Sequence, residues 1–472
     1  MQHSVAYKWK VLAAVVFGIF MVVLDTTVVN VAFPTLRTEF GAPLAEAQAI
    51  VSVYVLALGI GTPPAGFLAD RYGIKRMYIV GLACFGAGSL LAGFAPSLLI
   101  LVAARMLQGL GGGIAIPLGS AMLYKAFMPS ELGLALGIYG IAILVAPALG
   151  PIVGGLLVDA GLWRWIFFVN VPVAATGLIV AARFLRPEPV VNPPGFDIRG
   201  LALATTAFGA LLHAASLAAN NGWTSRQVLL WFAIGTVSGA LLVHHELNSH
   251  ERPLLNLRLF RIPAFFTASL IGYVTVLALF GAEFLMPLYL QALRRQDALQ
   301  TGLILLPLAI TAAITTPLAG RIYDRIGPRP LVVFGFIVLA VNTWQLSKIE
   351  AATSIPWIML LLALRGLALG ATVQTTFATA LGSVPREIVA RGSSLINSTR
   401  YVVQAIGVAI LSTVLVSRSH AGASVLDAPS LRGFEAAYRL TFFLALLAIP
   451  IACFLPGWPG KWQGRTGLAQ PQ

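Results

Sequence analysis

The chain has 472 residues, of which 58% are hydrophobic and only 10% charged. Soluble proteins carry about 25% charged residues, so a soluble protein of this size is excluded. Lys and Arg number 31 against 17 Asp and Glu, a net charge of +14. In a soluble chain that excess would suggest nucleic acid; beside runs of 18 or more apolar residues it reads as loop anchors of a polytopic membrane protein, with no nucleic-acid partner. Alternating β-barrel patterning is missing, so the spans are helices.

In chain order the apolar runs predict fourteen helices, at about 11–33, 47–69, 77–96, 98–123, 133–158, 165–185, 198–219, 227–246, 263–291, 300–322, 330–347, 354–381, 394–417 and 435–456. The first is too long for a signal-peptide core and no A-x-A site follows it, so it is read as an uncleaved span. An even count places both termini on one side. With that side cytoplasmic, its loops and tails hold about 19 Lys and Arg and the other side about 9, which sets the orientation. The expected location is the plasma (inner) membrane, multi-pass, with both termini cytoplasmic. Cys84 and Cys453 fall in apolar spans, so neither a disulfide framework nor a metal site is indicated.

Helix 1 contains "VVLDTTVVNVAF" (22–33), with Asp25 in an otherwise apolar run. A charge at the centre of a span costs about 2.5–3.5 kcal/mol on insertion scales, so Asp25 needs a partner or a task. At 1.5 Å per residue it lies about 12 Å below the outer end of helix 1; Arg105 lies about 10 Å below the outer end of helix 4, and Glu283 about 12 Å below that of helix 9. Intramembrane charges are paired or face a cavity. Two readings stay open: a structural Asp25–Arg105 pair, and carboxylates that exchange protons with an internal cavity. Arg365 is mid-span and is read either as bound to backbone carbonyls or as facing a cavity. Arg400, about 9 Å from the cytoplasmic end of helix 13, is read as snorkelling. His213 in helix 7 is read as packed.

The chain also repeats itself. "AGFLADRYGIKR" (65–76) and "AGRIYDRIGPRP" (319–330) share Ala, Gly, Asp, Arg and Gly. "PSE" (129–131) matches "PRE" (385–387), and Arg105 matches Arg365, at nearly the same offset. The first motif follows helix 2 and the second follows helix 10, a displacement of eight helices. Two six-helix halves with helices 7 and 8 inserted between them explain this. The expected division is 1–190 for the first half, 191–258 for the inserted pair with its linkers, and 259–472 for the second half and cytoplasmic tail.

With these motifs the sequence resembles the major facilitator superfamily, specifically its 14-helix drug:proton antiporters, over almost the whole chain. The loop after helix 2 carries Gly66, Leu68, Asp70, Arg71, Gly73, Lys75 and Arg76 of the superfamily pattern; its second copy keeps Asp324 and Arg325 but has Pro330 in place of a basic residue. "RMLQGLGGG" (105–113) resembles the helix 4 motif through Arg105, Gln108 and Gly109. "PALGPIVGG" (147–155) resembles the antiporter motif of helix 5 through Pro147, Gly150, Pro151, Gly154 and Gly155. "LDTTVVNVAFP" (24–34), "WRWIFFVNVP" (163–172), "FDIRG" (196–200) and "FLMPLYLQ" (284–291) are similar to segments of the same group. The resemblance implies a major facilitator fold: an all-α membrane protein of 14 transmembrane helices, two six-helix halves plus an inserted pair.

The residues have physical readings beside the resemblance. Gly73 permits a tight turn. Asp70, at the cytoplasmic end of helix 2, can meet the partial positive charge of a helix N-terminus; the resemblance makes that helix 13, which begins near Ser393. The loop motif is therefore read as a conformational latch, with a solvated, topology-setting charge cluster as the alternative. Gly150 and Gly154 let helices approach closely, and Pro147 and Pro151 bend helix 5, which suits a hinge between halves as well as simple packing.

The function expected is a proton-coupled antiporter exporting amphipathic small molecules, cationic or zwitterionic, by alternating access. Asp25, Arg105 and Glu283 would couple the proton. The alternative is an exporter or flippase of a lipid or lipid-like metabolite. Nothing resembles a nucleotide-binding loop, a catalytic triad or a metal-ligand set, so an enzyme is not expected and neither is a cofactor. The expected partners are protons, the substrate and membrane lipid, and the expected state is a monomer.

Overall fold

The computed structural model describes residues 5–188, 190, 195, 197–248, 253–417 and 430–457, with side chains described except at 5–6, 44–45, 129, 219–221, 279–284 and 298. Fourteen long helices run through it. The first six are α1 (Val5–Glu39), α2 (Ala49–Tyr72), α3 (Ile74–Gly93), α4 (Leu98–Ala126), α5 (Leu132–Asp159) and α6 (Trp165–Phe184). Then come α7 (Ile198–Asn221) and α8 (Arg226–Asn248). The last six are α9 (Pro263–Leu288), α10 (Ala298–Ile326), α11 (Pro328–Leu346), α12 (Ile355–Gly382), α13 (Val389–Ser417) and α14 (Leu431–Ala452). Thirteen of these are long and apolar enough to cross a membrane. The remaining one, α9, has 26 residues and an apolar described stretch over Pro263–Ala278. No strand occurs among the described residues.

Helices are the form such segments must take, because lipid offers the backbone no hydrogen-bond partner. Their ends are set by local chemistry. Asp297 caps α10 through a reciprocal bond with Gln300, while Asp197 accepts from the Gly200 amide at 2.7 Å to cap α7. The two repeated loops end α2 and α10 in the same way. Gly73 (φ 93°) and Gly327 (φ 86°) each take a left-handed conformation that favours glycine. Each donates its N–H back into the helix it ends, to Ala69 and Tyr323, at 2.9 Å. The end of the molecule carrying both loops is called here the basic end.

The packing follows the repeat. Within the first six helices α4 packs on α2 and α3, and α1 on α5 and α6; within the last six, α12 packs on α10 and α11, and α9 on α12, α13 and α14. The two groups meet along two seams: α5 against α10 and α12, and α13 against α2 and α4. The pair α7–α8 stands outside both groups. Helix α7 leans on α2 and α13, whereas α8 packs chiefly on α7 and is largely exposed.

Candidate functional site

Asp25, 1% exposed, is enclosed by α1, α4 and α6. Its Oδ2 pairs with Arg105 Nη1. Its Oδ1 accepts from Asn170 Nδ2 at 2.8 Å and from Gln108 Nε2 at 3.2 Å. Arg105 is equally buried and committed: Nη1 also donates to Gln108 Oε1 at 3.0 Å and Nε to the Ile50 carbonyl at 3.2 Å. The guanidinium lies over the Tyr54 ring, 4.0 Å from its centroid. Gln108 completes the network by donating to Ser89 Oγ at 2.6 Å. Three donors thus converge on one carboxylate, an arrangement matched to its charged form.

The sequence reading placed Asp25 and Arg105 at one depth but missed Asn170 and Ser89, and gave Gln108 no role. Asn170 had a visible signal: it is a lone amide in the apolar stretch "FFVNVP". Glu283 lies on α9, but its side chain falls outside the described residues. Arg365, the counterpart of Arg105, bonds Asn342 Oδ1 at 3.3 Å, Thr343 Oγ1 at 3.2 Å and the Ala278 carbonyl. A backbone oxygen thus stands on α9 where the first half uses the Asp25 carboxylate on α1.

At the basic end α2 and α13 touch. Gly66 N donates to Ser394 Oγ at 2.8 Å, and a Cβ on Gly66 would lie 2.7 Å from the Ala390 carbonyl oxygen. Asp70 Oδ2 meets the first turn of α13 through Arg391, 2.5 Å from its Nε. The partner is thus a side chain that the sequence reading counted as a loop anchor. Arg391 also donates to the Pro253 carbonyl at 2.7 Å. Ser120 of α4 and Ser393 of α13 share a 2.7 Å bond. The second copy makes a different contact: Asp324 accepts from the backbone amides of Gly133 and Leu134, at 2.9 and 3.2 Å, in the first turn of α5. Of the other loop residues, Lys75 donates to the Ala182 carbonyl at 2.8 Å and Arg71 lies over the Tyr72 ring, while Arg76 and Arg325 are exposed.

Helix α5 carries the Pro/Gly motif between α1 and α10. A Cβ on Gly150 would lie 2.5 Å from Thr27 Cβ, and one on Gly154 would lie 3.2 Å from the Val28 carbonyl oxygen. The glycine face therefore presses on α1, two residues from Asp25. Pro151 faces α10, where a Cβ on Gly302 would lie 3.4 Å from Pro151 Cβ. A Cβ on Gly155 would meet nothing within 4 Å, so packing does not require that glycine. Pro147 and Pro151 both lie inside α5, where each removes a backbone donor.

Two six-helix groups, a repeated loop motif at one end and a buried carboxylate–arginine pair in the first group frame the comparison with known proteins. The profile of the Major Facilitator Superfamily matches residues 15–408. The chain belongs to that superfamily. Its members are transporters, not enzymes. The chain is 35% identical over 396 residues to the multidrug resistance protein B homolog of Mycobacterium tuberculosis H37Rv, covering 83% of this chain and 73% of that one. It is 31% identical over 411 residues to the tetracenomycin C resistance and export protein of Streptomyces glaucescens, covering 87% and 76%. The solved structure of the proton:xylose symporter XylE superposes with a TM-score of 0.66 at 14% identity, covering 96% of each chain, which supports the superfamily fold.

Proposed function

We propose that this superfamily member is a proton-coupled antiporter that exports amphipathic small molecules by alternating access, with Asp25 as the proton carrier. The observation that carries the reading is the Asp25 cluster beside the α5 Pro/Gly motif. The charged carboxylate is matched to three donors. A protonated carboxyl needs an acceptor, and Arg105 has none to offer, so protonation must loosen the pair. Movement of α1 then bears on α5 through the Thr27–Gly150 contact, and α5 is a wall of the seam with the second half. Coupling requires only that the proton and the substrate prefer different conformations. Relatives named for multidrug resistance and tetracenomycin export support export as the direction and drug-like molecules as the cargo.

In this reading residues 1–190 and 259–472 rock against one another, and 191–258 ride alongside. The charge bias of the loops makes the basic end cytoplasmic. The Asp70–Arg391 and Asp324–α5 contacts then close the cytoplasmic side, and Asp25 belongs to the outward-facing stage, when it can receive a proton. The test is reconstitution into vesicles with an imposed pH gradient. Asp25→Asn keeps the side-chain shape and cannot cycle a proton. It should yield a folded protein that no longer concentrates a transported dye and shows no dye-induced proton release. An Asn variant that still concentrates dye would place the proton elsewhere.

A further inference from the structure

Arg105, Arg365 and Arg400 stand deep within the spans. Arg105 is committed to Asp25, Gln108 and Ile50, and Arg365 to Asn342, Thr343 and Ala278. Arg400 differs. Because α13 begins at Val389, it lies about 16 Å inside the helix. Its guanidinium lies 5.7 Å from the Phe377 ring centroid, and the hydroxyls of Tyr139, Tyr273 and Tyr401 are within its electrostatic reach. Among the described residues it forms no ion pair and donates no hydrogen bond. A half-buried cation deep in a span with no anion beside it is costly, so this charge is set out for something that arrives.

The surroundings fit an arriving anion. Arg400 opens on a small crevice, about 10 Å³, that Phe377, Thr376 and Ser269 also line. Ser269 is 2% exposed, and its Oγ stands beside the Tyr273 hydroxyl. The arginine and three of its aromatic neighbours stand in the second half and Tyr139 stands on α5 in the first, so the site spans a seam that must open and close. It also adjoins the Asp25 cluster: Tyr54, whose ring stacks under Arg105, is within electrostatic reach of both Asp25 and Tyr401.

We propose that Arg400 binds an anionic group, a carboxylate or an acidic phenol, of the transported molecule, with the tyrosine hydroxyls and Ser269 completing its hydrogen bonds. This rests on the export reading above and names its substrate class: amphipathic anions and zwitterions are preferred to simple cations. The guanidinium supplies a two-pronged, charge-assisted contact, and the aromatic walls accept a flat apolar body. The crevice has room for about one water, far below the 300–1,000 Å³ of a whole drug site, so in this conformation it offers only a foothold for the anionic group, and the rest of the molecule needs the seam to open.

The test uses fluorescein and rhodamine 6G, xanthene dyes of opposite charge, and measures binding to the purified protein in lipid nanodiscs by fluorescence anisotropy. The unmodified protein should bind fluorescein more tightly. Arg400→Gln should weaken fluorescein by about tenfold or more while leaving rhodamine 6G within about twofold. Arg400→Lys keeps the charge and bulk but loses the fork, so it should weaken fluorescein by only a few-fold, and it serves as the measurable variant if the Gln protein does not fold. Equal weakening of both dyes, an unchanged fluorescein affinity in either variant, or a preference of the unmodified protein for rhodamine 6G would overturn the proposal. Binding needs no pH gradient, so this result stands apart from that of Asp25→Asn.

Discussion

Asp25 and Arg105 are mutually dependent, because neither has water to fall back on. Breaking a buried pair by removing one partner costs about 3–5 kcal/mol. Arg105→Leu should therefore lower the melting temperature of the detergent-purified protein sharply. Adding Asp25→Asn to that variant should recover much of the loss, since Asn170 can still donate to the remaining amide oxygen. A double variant no more stable than Arg105→Leu would show that the arginine acts through Ile50 and Tyr54 instead. At this scale the sequence reveals depth and conceals direction. A rise of 1.5 Å per residue put Asp25 and Arg105 at one level, but helices apolar on every side carry no mark of which face meets lipid. Asn170 and Ser89 therefore could not be aimed at Asp25. Arg400 was placed too shallow because Arg391 and Gly392 looked like loop. Once Arg391 is paired with Asp70, that segment no longer needs water and joins the helix.

Helices α2 and α13 meet at the basic end, and their contact depends on Gly66 having no side chain. A Cβ there would lie 2.7 Å from both the Ala390 oxygen and the Arg391 Cα, and backbone cannot yield as a flexible side chain does. Gly66→Val should hold the basic end apart. Ser120→Cys with Ser393→Cys, replacing hydroxyls 2.7 Å apart, reports this in a protein whose two native cysteines have been changed to Ser. Oxidative cross-linking should be efficient with Gly66 and drop several-fold with Val; an unchanged yield would mean the helices approach by another route. Asp70→Asn is a milder change that keeps the shape and removes the charge facing Arg391. Dye binding should persist while the transport rate falls by about tenfold, the scale expected from losing one charge-assisted bond in one state. Loss of binding at an unchanged rate per bound dye would refute the latch. The helices themselves were legible in sequence, fourteen in number and close in position, because apolar length alone defines a span. The Asp70–Arg391 contact was not, since it joins residues 321 apart.

The whole molecule has two seams, and only one of them carries an extra helix. Against α2 and α13 stands α7, held further by the bond from Trp223 Nε1 to Thr413 Oγ1 at 2.8 Å; α8 sits outside it. The repeat offset of eight helices already pointed to an inserted pair, because a duplication can tolerate an addition only where it leaves both halves intact. The structure adds what an offset cannot: the pair lies alongside the seam between α2 and α13. His213 packs edge-on to Trp231 of the same pair, with ring centroids 5.0 Å apart. The pair also brings a buried carboxylate that the sequence reading passed over. Glu246 is 1% exposed, and its Oε1 accepts from the Leu255 amide at 3.2 Å, just past Pro253, which Arg391 contacts. If α7 and α8 are accessory, neither residue carries the transported proton. His213→Ala and Glu246→Gln should each keep pH-gradient-driven accumulation of dye within about twofold of the unmodified protein, the Gln carbonyl still receiving the Leu255 bond. Stability should change little for His213, by about 1 kcal/mol, the worth of one aromatic contact. A folded Glu246→Gln protein that binds dye but no longer accumulates it against the gradient would move part of the proton path into the inserted pair and end the accessory reading.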